Sequence, residues 1–383
     1  MRLAQPSKTD ARPGVPLIDL AAMSTDVRSA LELAWQETTT TSSFIGGQRV
    51  EEFEEQWARY CGTSCAVGVA NGTDAIELTL RALGIGPGDE VIVPANSFIA
   101  TAEAVLAAGA SVRFVDVDPE TLLATPETIR PAINRRTAAV VVVPLYGNMP
   151  AMDGIMRLTS TSNLALIEDA AQAHGSTWQG NKAGSFGIAG CFSFYPGKNL
   201  GAFGDAGAVV TDDAMLADRV RSLGNHGRRA GASHVHELVG RNSRLDALQA
   251  AVLSAKLPLL DHWNQARRAA IATYRSLLGP EVRTVALNDG ATSAHHQNVV
   301  RVPERDRLRE ALARQGIETG VHYPIPCHRQ GPYQAFADGP LPVVELAASE
   351  ILSLPLFPHI TYGQIEYVSS CVNDAVGAAS GDD

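Results

Sequence analysis

Cys65-Ala66-Val67-Gly68-Val69-Ala70-Asn71-Gly72-Thr73-Asp74-Ala75-Ile76-Glu77-Leu78-Thr79-Leu80-Arg81-Ala82-Leu83 is the stretch whose reading decides the fold. Its first five residues form an apolar run of strand length, and residues 74–83 carry an apolar stripe at helical spacing. Thr73 ahead of Asp74 is a helix-start signature. A strand that passes through Asn-Gly-Thr straight into a helix belongs to a layered α/β unit. In open α/β sheets ligands gather at the carboxyl edge, where such helices begin, so the turn at 71–73 is a candidate phosphate site.

Working outward, further runs rich in Val, Ile and Ala recur between helical patterns, at Glu90–Pro94, Ser111–Val115, 138–144, 164–168, 190–194 and 207–210. With Cys65–Val69 they predict a mostly parallel seven-stranded sheet with covering helices, an α/β fold. After Arg241 a long helical stretch, 245–278, is broken by Pro258 and bridges to a different texture: a strand at 297–302, a helix at 304–315, a Pro- and His-rich loop at 321–333 and a last helix at 362–373. The expected organisation is a loose leader at 1–16, a large domain at 17–255 and a smaller α+β C-terminal domain at 256–383.

Composition narrows the class. The 383 residues are 45% hydrophobic and 19% charged, with a formal net charge of -10, enough apolar material for a sizeable core. The acidic balance, without a clustered basic face, argues against nucleic acid as a partner. No apolar run is long enough for a membrane helix and no signal layout opens the chain, so a cytoplasmic protein is expected. The five cysteines are scattered and odd in number; Cys61 and Cys65 have no second Cys or His pair behind them, so no metal site is expected.

Two later segments carry chemistry. In Phe192-Ser193-Phe194-Tyr195-Pro196-Gly197-Lys198-Asn199-Leu200-Gly201, one lysine follows an apolar strand inside a Gly-rich turn. A lysine that condenses with a carbonyl needs a partly desolvated amine, and glycines let backbone approach a bulky cofactor. Such a lysine is otherwise a solvated surface charge. Ser193 offers a hydroxyl to a phosphate. In Ile167-Glu168-Asp169-Ala170-Ala171-Gln172-Ala173-His174-Gly175, a carboxylate sits at the end of an apolar strand, where it needs a partner. A pyridinium nitrogen is such a partner; capping the following turn is the blander role for Asp169.

Taken with Gly86-Pro87-Gly88-Asp89-Glu90-Val91 and Ser97-Phe98-Ile99-Ala100-Thr101, these segments resemble the DegT/StrS-type nucleotide-sugar aminotransferases, pyridoxal 5′-phosphate (PLP) enzymes of fold-type I, from about Ile18 to the C-terminal region. The resemblance implies that Lys198 is the Schiff-base lysine and proton shuttle and that Asp169 pairs with the pyridine nitrogen. It implies that Gln172 lies near the ring's phenolate oxygen, that Gly72, Thr73 and Ser193 hold the phosphate, and that Phe98 covers a ring face. It implies a homodimer in which Asn242 of Arg241-Asn242-Ser243-Arg244 reaches the neighbouring subunit's phosphate. Ala70, where serine is frequent, and Ala206, where a third glycine is common, depart from the pattern without touching these roles.

The reaction so implied is ping-pong. An amino acid, glutamate by expectation, displaces Lys198 and leaves its nitrogen on the cofactor, and a keto-sugar then takes that nitrogen. The loop at 320–330, with His322 and Tyr323, resembles the sugar-facing loop of members that aminate the C3 ketone of TDP-linked deoxyhexoses; Arg228, with Arg229, is a candidate for the nucleotide diphosphate. Amination at C4, a sugar dehydratase with histidine at the lysine position, and a non-catalytic regulator are the alternatives. Lys198 argues against the second, and Lys198 with Asp169 against the third. No G-x-G-x-x-G turn follows the first strand, which disfavours an NAD enzyme.

Overall fold

The computed structural model describes residues 14–380. Seven strands form the main sheet, in the order Cys65–Val69, Gly207–Thr211, Ala189–Ser193, Ala165–Asp169, Thr137–Val142, Glu90–Pro94 and Ser111–Val115. All neighbours are parallel except Gly207–Thr211, which runs antiparallel to both of its partners. The seven expected strands are these seven, with ends displaced by one or two residues. They were readable because strands covered on both faces are continuous apolar runs.

Two large apolar clusters cover the two faces of this sheet. One gathers Val67, Leu78, Val93, Val141 and Val209, and the other Trp57, Ile92, Val140, Phe192 and Phe194. The alternation of Val91 and Val93 with Ile92 between the clusters is the period of two that a strand imposes. A third cluster, with Tyr274, Val300, Leu312, Leu354 and Val368, surrounds a three-stranded antiparallel sheet in which Asn298–Arg301 is central.

The break at Pro258 is a 3-10 turn, Leu257–Leu259, between the helices Ala247–Lys256 and Leu260–Leu277. The helix after the first strand of the sheet begins at Gly72, two residues earlier than expected, and its cap is Asn71 rather than Thr73. Of the expected loose leader, residues 1–13 lie outside the described residues, but Val15 is fixed. It is buried, its N–H donates to Gly316 O at 2.9 Å and its carbonyl accepts from Glu318 N at 2.9 Å. Among the described residues no helix is long and apolar enough to cross a membrane.

Candidate active site

The carboxyl ends of the parallel strands open into a cleft of about 450 Å³, onto which Gly72, Asp169, Gln172, Ser193, Lys198 and Tyr323 all face. One wall is the start of helix Gly72–Ala82. Asn71 Oδ1 caps it by accepting from Asp74 N at 2.8 Å, while the N–H groups of Gly72 and Thr73 have no partner among the described residues. Those donors, at the positive end of a helix, form an anion cradle. Gly72 must be glycine, since a Cβ there would lie 2.7 Å from Ser193 Cβ. Ser193 Oγ accepts from Tyr195 N at 3.3 Å, which leaves its hydroxyl hydrogen to donate into the cradle.

The floor is Asp169, the last residue of its strand. Its Oδ2 accepts from Thr101 Oγ1 at 2.6 Å, its Oδ1 from Ala171 N at 3.3 Å, and Thr101 Oγ1 lies 2.6 Å from Ser97 Oγ. Burial nonetheless raises the carboxyl above its ordinary range, with Thr101, Lys198 and Ala171 opposing. A carboxylate held this way calls for a cationic partner.

Lys198 enters on a tight turn, its N–H donating to Tyr195 O at 2.8 Å. Gly201 closes that turn so tightly that a Cβ would lie 2.3 Å from Pro196 O. Burial lowers the amine to about 8, with the charge of Asp169 acting the other way. A useful share of free amine therefore exists near neutral pH.

Gln172 is oriented without ambiguity. Its Oε1 accepts from Tyr146 N at 2.7 Å, so its Nε2 points to the Tyr323 hydroxyl at 3.1 Å and offers a donor to an anionic oxygen in the cleft. Phe98, half exposed just before helix Ile99–Ala107, leans over the cleft with its ring 5.5 Å from that of Tyr323. His322 is tied by Nδ1 to Ser353 Oγ at 2.8 Å, and burial, then Lys198, lowers its ring to about 4.

Gly72, Thr73, Phe98, Asp169, Gln172, Ser193, Lys198, His322 and Tyr323, nominated from sequence, thus share one cleft. Asn242 and Arg228 do not line it. Asn242 is exposed and bridges to Asn225, and Arg228 bridges to His236. His328, in the same Pro- and His-rich loop, is fully buried, with Nε2 2.9 Å from Glu345 Oε1. Sequence reasoning missed the Ser97–Thr101 support of Asp169, the Asn71 cap, and His296 and Gln297, which also line the cleft. Asn71 carried a legible signal as a side-chain cap; His296 and Gln297 carried none.

These residues fit the phosphate, ring nitrogen, ring oxygen and aldehyde of pyridoxal phosphate in turn: unpaired N–H donors, a buried acid, an amide donor and a desolvated amine.

The profile of the DegT/DnrJ/EryC1/StrS aminotransferase family matches residues 26–373. A Streptomyces venezuelae protein named dTDP-3-amino-3,4,6-trideoxy-alpha-D-glucose transaminase is 42% identical, over 94% of this chain and 96% of its own. A Geobacillus stearothermophilus protein named pleiotropic regulatory protein is 41% identical, over 92% of this chain and 96% of its own. The crystal structure of S. venezuelae DesV in complex with a ketimine intermediate superposes with a TM-score of 0.92 at 42% identity, covering 94% of this chain and 98% of that one.

Proposed function

The chain belongs to the DegT/DnrJ/EryC1/StrS aminotransferase family, and on that footing we propose that it transfers an amino group from L-glutamate to the C3 ketone of a TDP-linked deoxy-keto-sugar. Enzymes of this family use PLP. The observation that carries the reading is the shared cleft of Lys198 and Asp169 beside an anion cradle. The name of the S. venezuelae transaminase supports the C3 position and the nucleotide.

Gly72, Thr73 and Ser193 would hold the cofactor phosphate, Asp169 its ring nitrogen, and Gln172 Nε2 its ring oxygen, with Phe98 over one face. Bound there, the cofactor supplies an electron sink for the carbanion left when the substrate carbon loses its proton. Lys198 Nζ takes that proton and returns it, a double duty suited to an amine near 8. Asp169, ionised, would keep positive charge on the cofactor's ring nitrogen; Thr101 holds the carboxyl in place and favours its ionised form. Phe98 and Tyr323, which line the cleft, would shield the reacting carbon from water.

The protein works in the cytoplasm as a homodimer, in which exposed Asn242 reaches the neighbour's cradle and Arg228 approaches the nucleotide diphosphate. Residues 256–383 form a small domain that lends His322 and Tyr323 to the cleft of the large domain, 17–255. Retention of Lys198 and Asp169 supports catalysis over a purely regulatory role.

A panel of TDP-, UDP- and GDP-linked 3- and 4-keto sugars, each incubated with glutamate and PLP and read by product mass, tests the proposal. Amination of a TDP-linked 3-keto sugar is expected. Amination of only 4-keto sugars, or of none, would overturn it.

A further inference from the structure

The residue after the lysine opens a buried chain of polar side chains that leads back to the cleft. Asn199 is fully buried. Its Nδ2 donates to Ala294 O at 2.9 Å and to Asn264 Oδ1 at 2.8 Å, and Asn264 Nδ2 donates to His174 O at 2.8 Å. Backbone carbonyls only accept, so both amides are fixed in direction. Asn199 Oδ1 therefore faces His296, whose Nδ1 lies 3.0 Å away and must carry the hydrogen.

With Nδ1–H so used, the neutral ring of His296 presents only a lone pair at Nε2. Burial, then the charges of Lys198 and Arg267, holds the ring well below its usual titration range. The neighbour of Nε2 is Gln297 Nε2, at 3.4 Å. The opposite setting of the Gln297 amide would bring its oxygen against that lone pair. The donor direction thus runs unbroken from Gln297 through His296, Asn199 and Asn264 to the His174 carbonyl. Gln297 Oε1 takes no hydrogen bond among the described residues, while Gln297 and His296 both line the cleft that holds Lys198.

We propose that this chain sets Gln297 as a specificity residue, its side-chain carbonyl accepting a hydrogen bond from a hydroxyl of the sugar substrate. The inference rests on the sugar aminotransferase reading above. The chemistry separates the two substrates: a sugar carries hydroxyl donors, whereas an amino-acid donor, apart from the amine that it gives up, carries only carboxylates, which accept. An acceptor at this wall therefore serves the sugar half-reaction and gives the amino-acid half-reaction nothing.

Ping-pong turnover lets each half be measured alone in the holoenzyme, the donor half by the absorbance change on adding glutamate and the sugar half by the reverse change on adding the keto-sugar. Gln297→Met keeps the shape and removes the acceptor. It is expected to lower the ratio of sugar-half to donor-half kcat/KM by about tenfold, the worth of one neutral hydrogen bond. Gln297→Glu keeps an acceptor oxygen and places negative charge near the donor's carboxylates, so the ratio is expected not to fall. With a deoxy analogue lacking the contacted hydroxyl, the difference between wild type and Gln297→Met should vanish.

Equal loss in both halves would assign Gln297 a structural role and overturn the proposal, as would an unchanged ratio. Failure of the wild-type enzyme to aminate any keto-sugar would instead strike the parent reading, and this proposal with it, before any variant is compared.

Discussion

Thr101 Oγ1 donates a 2.6 Å hydrogen bond to Asp169 Oδ2, and Ser97 Oγ lies 2.6 Å behind it, so a relay of two hydroxyls braces the Asp169 carboxyl on the cleft floor. Both hydroxyl residues are buried, as is Asp169. Burial favours the neutral acid and the Thr101 bond favours the carboxylate. The contest between them sets how much of Asp169 is ionised at working pH.

Thr101→Val removes the donor and little volume. The Asp169 pKa then rises further, because the Thr101 hydrogen bond that favours the charged form is lost. With the carboxylate form acting as proposed, the acid limb of the kcat profile should move to higher pH. A pH–rate profile of the holoenzyme checks this.

Gly72→Ala drives a Cβ to within 2.7 Å of Ser193 Cβ, in the cradle itself. Helix and strand must part there, and PLP affinity should fall at least about tenfold, while Ser193→Ala, which loses one hydroxyl donor, costs less. Fluorescence titration of each apoprotein with PLP reads the difference.

Lys198→Met should stabilise the apoprotein. The Lys198 pKa is lowered from 10.5 to about 8 in the fold, so the unfolded chain binds its proton more readily and the wild-type amine opposes folding. The sign follows: the penalty is full below about pH 8, fades as pH rises from there, and is gone above 10.5. On the order of 3 kcal/mol separates the two proteins at pH 7, read as a higher melting temperature for the variant that shrinks in alkaline buffer.

Mixing Lys198→Ala with Asn242→Ala subunits tests the proposed dimer and its shared site. Each variant alone should be impaired, Lys198→Ala inactive and Asn242→Ala poor in cofactor retention. A mixed dimer rebuilds one intact site, so a statistical mixture should recover about a quarter of wild-type activity. Unchanged PLP affinity in Asn242→Ala would count against the arrangement.

The main sheet and the cofactor end of the cleft were legible in sequence because each depends on local pattern. Covered strands are apolar runs, and Gly72-Thr73, Asp169 and Lys198 each stand at a strand-to-turn junction. Thr73 was read as the cap because threonine is itself a capping residue; Asn71 holds that place because its carbonyl oxygen reaches Asp74 N. The far wall was not legible. His296 and Gln297 stand at the entry of an ordinary-looking strand, and His296 meets Asn199 through a contact spanning 97 residues. Arg228 was nominated from charge alone; its backbone pairs with His236, and within one chain it does not line the cleft.

The central claim is a covalent one, and borohydride reduction of the PLP-loaded protein followed by peptide mass mapping tests it most directly. A reduced pyridoxyl adduct on Lys198, absent from Lys198→Ala, is the predicted result. A folded, PLP-supplied protein with no adduct, or with its adduct on another lysine such as Lys182, would contradict it.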